Sequence, residues 1–314
     1  MEQRIYEFIK YCNSDSVRDE FPSLNYQLFM MSLRSMLPFE HKIGCQLDVA
    51  RYIDELKTLK YYINGDDKLV INKIKQNNAL TAYDSLLEYK IIPIIISNSI
   101  WENIINEALK CVIFYTYSKE SILEAIVLSS VLHEYIENNC TDRAYLHTIT
   151  KQRIIEFSLK DFFKDNFDTQ VKNTYNVGFE RERISYIMKE DIFDNDLFTN
   201  NKIINYIFNK PSDINDIGSD VDNILQSLSS YLYKLRKGVI DPRKIRYASS
   251  GVDLRPNIEQ ASFTHHILGK CLVIKRAENE AIVKTKTGNI KVRVWNENFI
   301  SFSWFKIHTF KSCT

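Results

Sequence analysis

Residues 101–139, "WENIINEALKCVIFYTYSKESILEAIVLSSVLHEYIENN", decide the fold class. In the first half Trp101, Ile104, Ile105, Ala108, Val112 and Tyr115 recur three and four apart, which places them on one face of a helix. "YSKES" breaks that run, and Ser118 is placed to cap a second helix whose side chains from Ile122 to Leu132 are apolar around most of the circumference. A helix of that kind belongs in the middle of a helical domain rather than on its surface.

The same spacing extends outward. "LNYQLFMMSLRSML" (24–37) and "QLDVARYIDELKTLKYY" (46–62) read as helices, the first stopping at Pro38, and Asp66 or Asp67 can start a short helix after the "NGDDK" turn. "IIPIIIS" (91–97) is an apolar segment, with Ser97 or Asn98 as the expected cap for the helix after it. Residues 143–164 read as helix, 165–178 as loop, and "FERERISYIMKE" and "KIINYIFN" as helices. Beyond Pro256 the period falls from 3.6 to 2: "CLVIKR", "AIVKTK", "IKVRVW" and "FISFSW" alternate between short turns and predict a small antiparallel meander. The expectation is a mainly helical domain over residues 1–250 and a small basic β domain over 256–314.

Composition narrows the chemistry. The 314 residues include only 8 Gly and 6 Pro against 18 Tyr and 18 Phe, and no GxGxxG or GxxxxGK[ST] stretch occurs, which argues against a glycine-rich phosphate loop. The six cysteines form no CxxC pair, which fits reduced thiols. The N-terminal segment lacks the basic flank and apolar run of a signal peptide, and no apolar run approaches the roughly 20 residues of a membrane span, so a cytoplasmic protein without a membrane partner is expected. A net charge of +1 hides an asymmetry: Lys234 to Lys311 carry a net +10. An anionic partner for that basic quarter is one consequence.

Two sets of residues carry candidate chemistry. In "GSDVDNILQSLSSYLYKLRKG" (218–238) a single apolar stripe from Ile224 to Leu235 defines a helix, with Lys234, Arg236 and Lys237 in its last turn and Gly238 suited to its end. At its opening Asp220 and Asp222 either cap the helix or, from a non-helical entry turn, aim two carboxylates at a Mg²⁺ ion, which takes hard oxygen ligands. In the meander Lys284, Lys286, Lys291 and Arg293 share one face with Trp295, an arrangement that can follow phosphates while the indole stacks on a base, or that simply forms the solvated face of the sheet. His265 and His266 read as surface residues and His133 as a satisfied polar residue on a buried helix.

The acidic opening of residues 218–223, together with the Pro-bearing "IIPIIIS" and the two core helices joined at "YTYSKES", resembles the ADP-ribosylglycohydrolases, which are mostly helical enzymes. The likeness covers about residues 24–240. Their Gly-Gly-Asp-Thr/Ser-Asp-Thr motif falls on Gly218, Ser219, Asp220, Val221, Asp222 and Asn223, and the resemblance implies Mg²⁺ ligation by Asp220 and Asp222. The family's Gly-Asp-Ala-x-Gly signature is absent near "SMLPFEHKIG", and its Asp-Asp-Thr is echoed only as Asp66-Asp67-Lys68. The resemblance therefore implies an ADP-ribosylglycohydrolase-like protein with degraded or altered activity on an ADP-ribose-type small molecule; intact, it would be a Mg²⁺-dependent hydrolase of ADP-ribosyl linkages. The competing class is a non-enzymatic helical module that binds an anionic partner, such as nucleic acid, through its basic C-terminal part.

Overall fold

The computed structural model describes residues 1–13, 22–76, 79–164, 172–194, 198, 201–209, 219–238, 262–265, 269–277, 280–285, 288–295 and 299–301. It is mainly helical, with a small antiparallel sheet at the C-terminal end. The helices are α1 (Glu2–Asn13), α2 (Leu24–Arg34), α3 (Val49–Leu59), α4 (Lys68–Gln76), α5 (Leu87–Ser97), α6 (Trp101–Tyr115), α7 (Lys119–Asn138), α8 (Arg143–Glu156), α9 (Leu159–Lys164), α10 (Lys172–Ile187), α11 (Lys202–Asn209) and α12 (Ser219–Arg236). A two-stranded hairpin, β1 (Met36–Pro38) with β2 (Cys45–Leu47), interrupts them.

Short polar side chains open α2, α3, α4, α7 and α8. Ser23 accepts from the Tyr26 N–H at α2, Asp48 from Arg51 at α3, Asp67 from Val70 at α4, Ser118 from Ser121 at α7 and Asp142 from Ala144 at α8, each satisfying a donor that the first turn leaves without an internal partner. Asn139 closes α7 in the left-handed conformation at φ 54, and Gly238 closes α12 at φ 67. The readings of Ser118, Asp67 and Gly238 hold.

α5 and α7 form the centre. All eleven residues of α5 are buried, as is α7 from Ser121 to Ile136; α5 packs against α2, α6, α7 and α12, and α7 against α6, α8, α10 and α11. "IIPIIIS" is therefore the second half of a helix with Pro93 inside it. Its β-branched residues and proline disfavour a helix in isolation, but a segment enclosed by four helices satisfies its backbone groups best by coiling. The cap expected at Ser97 or Asn98 is replaced: Ile100 precedes α6 and no side chain caps it. Asn98 instead braces the hairpin, accepting from Cys45 N at 2.8 Å and donating to Cys45 O at 3.0 Å and Ile94 O at 2.9 Å. A Cβ on Gly44 would stand 2.4 Å from the Asn98 Oδ1, and Gly44 adopts φ 118, so glycine is required there on both grounds.

Other boundaries shift. The helix read over 24–37 ends at Arg34, where Ser35 leads into β1, and that over 143–164 breaks into α8 and α9 at Phe157. The loop expected up to residue 178 becomes helical from Lys172; Phe179 and Tyr186 reach the core from α10 while Val177, Ile184 and Met188 stay exposed, so apolar residues on both sides blur its period.

The sheet runs β3 (Ser262–His265), β4 (Gly269–Ala277), β5 (Glu280–Thr285), β6 (Gly288–Trp295) and β7 (Phe299–Ser301), each strand antiparallel to the next. This is the expected meander with β3 added at its edge. Among the described residues no helix is long and apolar enough to cross a membrane.

Candidate functional site

The opening of α12 begins at Ser219, so Asp220 and Asp222 occupy its first turn and not an extended entry turn. Positions two apart on a helix leave the axis about 200° from one another, which does not direct them to a common side. The side chain of Asp220 lies outside the described residues. That of Asp222 faces α1, which packs along α12.

There the Asp222 Oδ1 accepts from the Tyr6 hydroxyl at 2.5 Å and meets the Lys10 ammonium at 2.7 Å. Tyr6 and Lys10 stand one helical turn apart, which brings both onto one oxygen. The hydrogen bond from Lys10 and then that from Tyr6 hold the Asp222 carboxyl below its usual range, and the same contact raises Lys10. Burial, and then the hydrogen bond to Asp222, raises Tyr6. Asp222 is therefore a charged acceptor already engaged by a cation.

Asp66 is exposed, whereas Asp67 is buried and spent on the α4 cap. Asp67 belongs to different surroundings: its charge, with that of Asp84, bears on Tyr115 at the end of α6. Among the described residues no group of three or more His, Cys, Asp or Glu side chains could hold a metal ion.

The meander contributes through its register. Glu280 pairs with Arg293, Ile282 with Lys291 and Lys284 with Asn289, which puts positions 284, 291, 293 and 295 on one face, shared with Glu280 and Ile282. Lys284 is exposed. Lys286 lies outside the described residues, as do the side chains of Lys291, Arg293 and Trp295.

The buried acids that the sequence reading does not single out include Asp84, Glu88 and Glu124. Asp84, wholly buried, is gripped by the Lys90 ammonium at 2.7 Å to each carboxylate oxygen, with Lys90 also lying 4.1 Å from the Tyr115 ring centre. Glu88 accepts from the Lys202 N–H at 2.7 Å and so caps α11, and burial pushes its carboxyl up to about 7. Glu124 on α7 has one oxygen without a hydrogen-bond partner; burial above all, then the charges of Glu88 and Asp84, raises it to about 8 against the hydrogen bond from Tyr83. The signal for them was present: Glu88 and Lys90 interrupt an apolar run, and Glu124 lies between Leu123 and Ala125 in a helix that is apolar around most of its circumference. His133 differs from its reading as a satisfied residue, since its Nδ1 is buried without a partner and burial lowers the ring to about 4.

A scan against protein-family models and a search of curated proteins match nothing to this chain.

Proposed function

We propose that the chain is an ADP-ribosylglycohydrolase-like protein whose hydrolytic centre is altered, and that it holds an ADP-ribose-type ligand without paired-metal hydrolysis. The observation that carries this reading is the engagement of Asp222 by Lys10 and Tyr6. Mg²⁺ takes about six oxygen ligands in octahedral array. An ammonium 2.7 Å from the carboxylate stands where such an ion would have to approach, and Lys68 follows Asp67 where the resembled family has threonine. Among the described donors Asp222 is already engaged by a cation, which supports a centre that works without bound Mg²⁺. The order of elements supports the scaffold half of the reading: the Pro-bearing α5, α6, the turn at Thr116–Ser118, α7 and the acidic opening of α12 follow one another as in the motifs that carry the resemblance.

Calorimetric titration with ADP-ribose tests it, with and without Mg²⁺, on the natural chain and on Asp220→Asn/Asp222→Asn. Binding that ignores Mg²⁺ and survives the double substitution is the expected result. Binding that requires Mg²⁺ and vanishes in the variant would restore the metal-dependent hydrolase, and no binding at all would remove the ADP-ribose ligand.

The register of β5 and β6, which aligns positions 284, 291 and 293, supports a second reading, a nucleic-acid-binding module. It predicts affinity that falls steeply with salt and is lost on reversing the charges of Lys284, Lys286, Lys291 and Arg293. Absence of binding to single- and double-stranded nucleic acid at low salt overturns it.

A further inference from the structure

Glu124 stands in the second turn of α7 with 3% of its surface exposed; its carboxyl accepts from the Tyr83 hydroxyl, and its Oε2 has no hydrogen-bond partner. The side chain that reaches this buried acid is itself at the surface, since Tyr83 is 37% exposed. Tyr83 ends a short strap, residues 80–83, that runs beside the turn between α6 and α7. Leu80 forms an isolated parallel bridge with Thr116, donating to Tyr115 O at 3.0 Å and accepting from Tyr117 N at 2.7 Å. Ala82 O accepts from the Thr116 hydroxyl at 2.5 Å.

The two ends of this stretch are held unequally. Thr81, Ala82 and Tyr83 are all exposed, and Leu80 is only half-buried. Asp84, the next residue, is wholly buried: its N–H donates to Ser121 Oγ at 2.9 Å, and its carboxylate takes the Lys90 ammonium and the Leu86 N–H. A stretch with little buried apolar surface and exposed backbone bonds opens before the core does, and here it is followed by a fixed point.

Among the described residues no cation pairs with Glu124. Asp84 and Glu88 bear on it with like charge. Lys90 of α5 gives its ammonium to Asp84 and lies over the Tyr115 ring of α6, and Lys202 at the start of α11 bears on Glu88. Tyr186 of α10 bears on Tyr83, while Arg143 and Arg153 of α8 are paired with Asp191, Asp194 and Glu134. An ionised Glu124 is therefore a buried charge without compensation, a state that costs several kcal/mol unless water reaches it. Displacing Tyr83 admits water with the loss of few contacts, whereas every other route parts packed helices.

We propose that residues 80–83 are a pH-operated strap, shut over neutral Glu124 and opened by its ionisation, with Asp84 as the pivot. Burial above all holds the carboxyl at about 8 in the closed chain, against 4.5 for the hydrated group. The closed state thus binds the proton more tightly than the open one. Closure is favoured in full below pH 4.5 and weakens as the pH climbs to about 8.

Amide hydrogen exchange on the full chain tests it, read at Leu80 and Tyr117, whose N–H groups form the bridge, and at α5 as the reference for global unfolding. Glu124→Gln keeps the shape of the neutral acid, and Tyr83→Ala removes the exposed cover. In the natural chain, protection at Leu80 and Tyr117 is expected to fall by about thirtyfold between pH 5 and pH 8, after correction for intrinsic exchange, and to be unchanged by about 1 M urea while that of α5 drops. Glu124→Gln should abolish the fall, and Tyr83→Ala should shrink it by hydrating the carboxyl in the closed state. A fall that persists in Glu124→Gln, or a wild-type profile in Tyr83→Ala, overturns the proposal. Strap amides that follow α5 in urea also overturn it, because the opening would then be that of the whole domain.

Discussion

Arg236, in the last turn of α12, donates to the main-chain oxygens of Ile95, Ile96 and Asn98 at the end of α5, and pairs with Glu137 of α7 at 2.5 Å. Its side chain is wholly buried. One guanidinium thus satisfies carbonyls that a helix end leaves without partners and ties three helices together.

Removing it leaves those carbonyls and the Glu137 carboxylate without their donor. Arg236→Met is expected to destabilise the protein by about 3 kcal/mol, against about 1 kcal/mol for Glu137→Gln, which keeps an acceptor. Urea unfolding followed by circular dichroism measures both, and equal effects would contradict this account.

The buried Asp84–Lys90 pair makes a different prediction. Lys90→Met strands a carboxylate in the core and is expected to cost about 3–5 kcal/mol. Adding Asp84→Asn to it should return part of that loss, because the uncompensated charge goes with it. A double-mutant cycle in which the two substitutions simply add would refute the coupling.

Glu124 sets a dependence on pH. Its carboxyl is raised from 4.5 to about 8 in the folded chain, so the folded state binds the proton more tightly than the unfolded one. The favourable contribution is present below pH 4.5 and is lost as the pH climbs to about 8. Glu88, raised to about 7, acts in the same sense. Glu124→Gln should therefore unfold at higher urea than the natural chain at pH 8, by on the order of 2 kcal/mol, with the difference shrinking toward pH 5. An unchanged pH profile in the variant would refute it.

At the α12 opening the sign is opposite. Lys10 and Tyr6 depress the Asp222 carboxyl, so its contribution exists above the unfolded value of 3.8 and disappears as the pH falls through the lower folded one. Asp222 is about one third exposed, and solvent screening limits the pair to about 0.5 kcal/mol. Asp222→Asn should cost about that much at pH 7, less at 1 M salt, as read from thermal unfolding. A cost insensitive to salt would argue for packing instead of charge.

The helical domain was legible where its signal is local. Ser118 before an apolar run, the stripe from Ile224 to Leu235 and Gly238 after a basic turn each combine a period with a boundary residue, and the helix follows. "IIPIIIS" failed because its conformation is set by neighbours distant in sequence: a proline among isoleucines argues against helix until four helices surround it. The candidate site was legible as chemistry but not as partnership. Two aspartates announce an acidic turn, yet nothing in residues 218–223 says that Tyr6 and Lys10, more than 200 residues earlier, lie against Asp222. The strap was less visible still. Residues 80–83 carry no period, and only the fold lays Leu80 beside Thr116 and the Tyr83 hydroxyl against Glu124.

The grip of Arg236 on the end of α5 also orders the events of synthesis. Ile96 leaves the ribosome 140 residues ahead of the guanidinium that binds its carbonyl. At about 5–20 residues per second the nascent chain waits on the order of 10–30 s with the carbonyls at the end of its central helix lacking that donor, and with the α1 surface that α12 covers still bare. The contacts that α12 makes with α1 and with α5 therefore form late, after both of those helices have been synthesised.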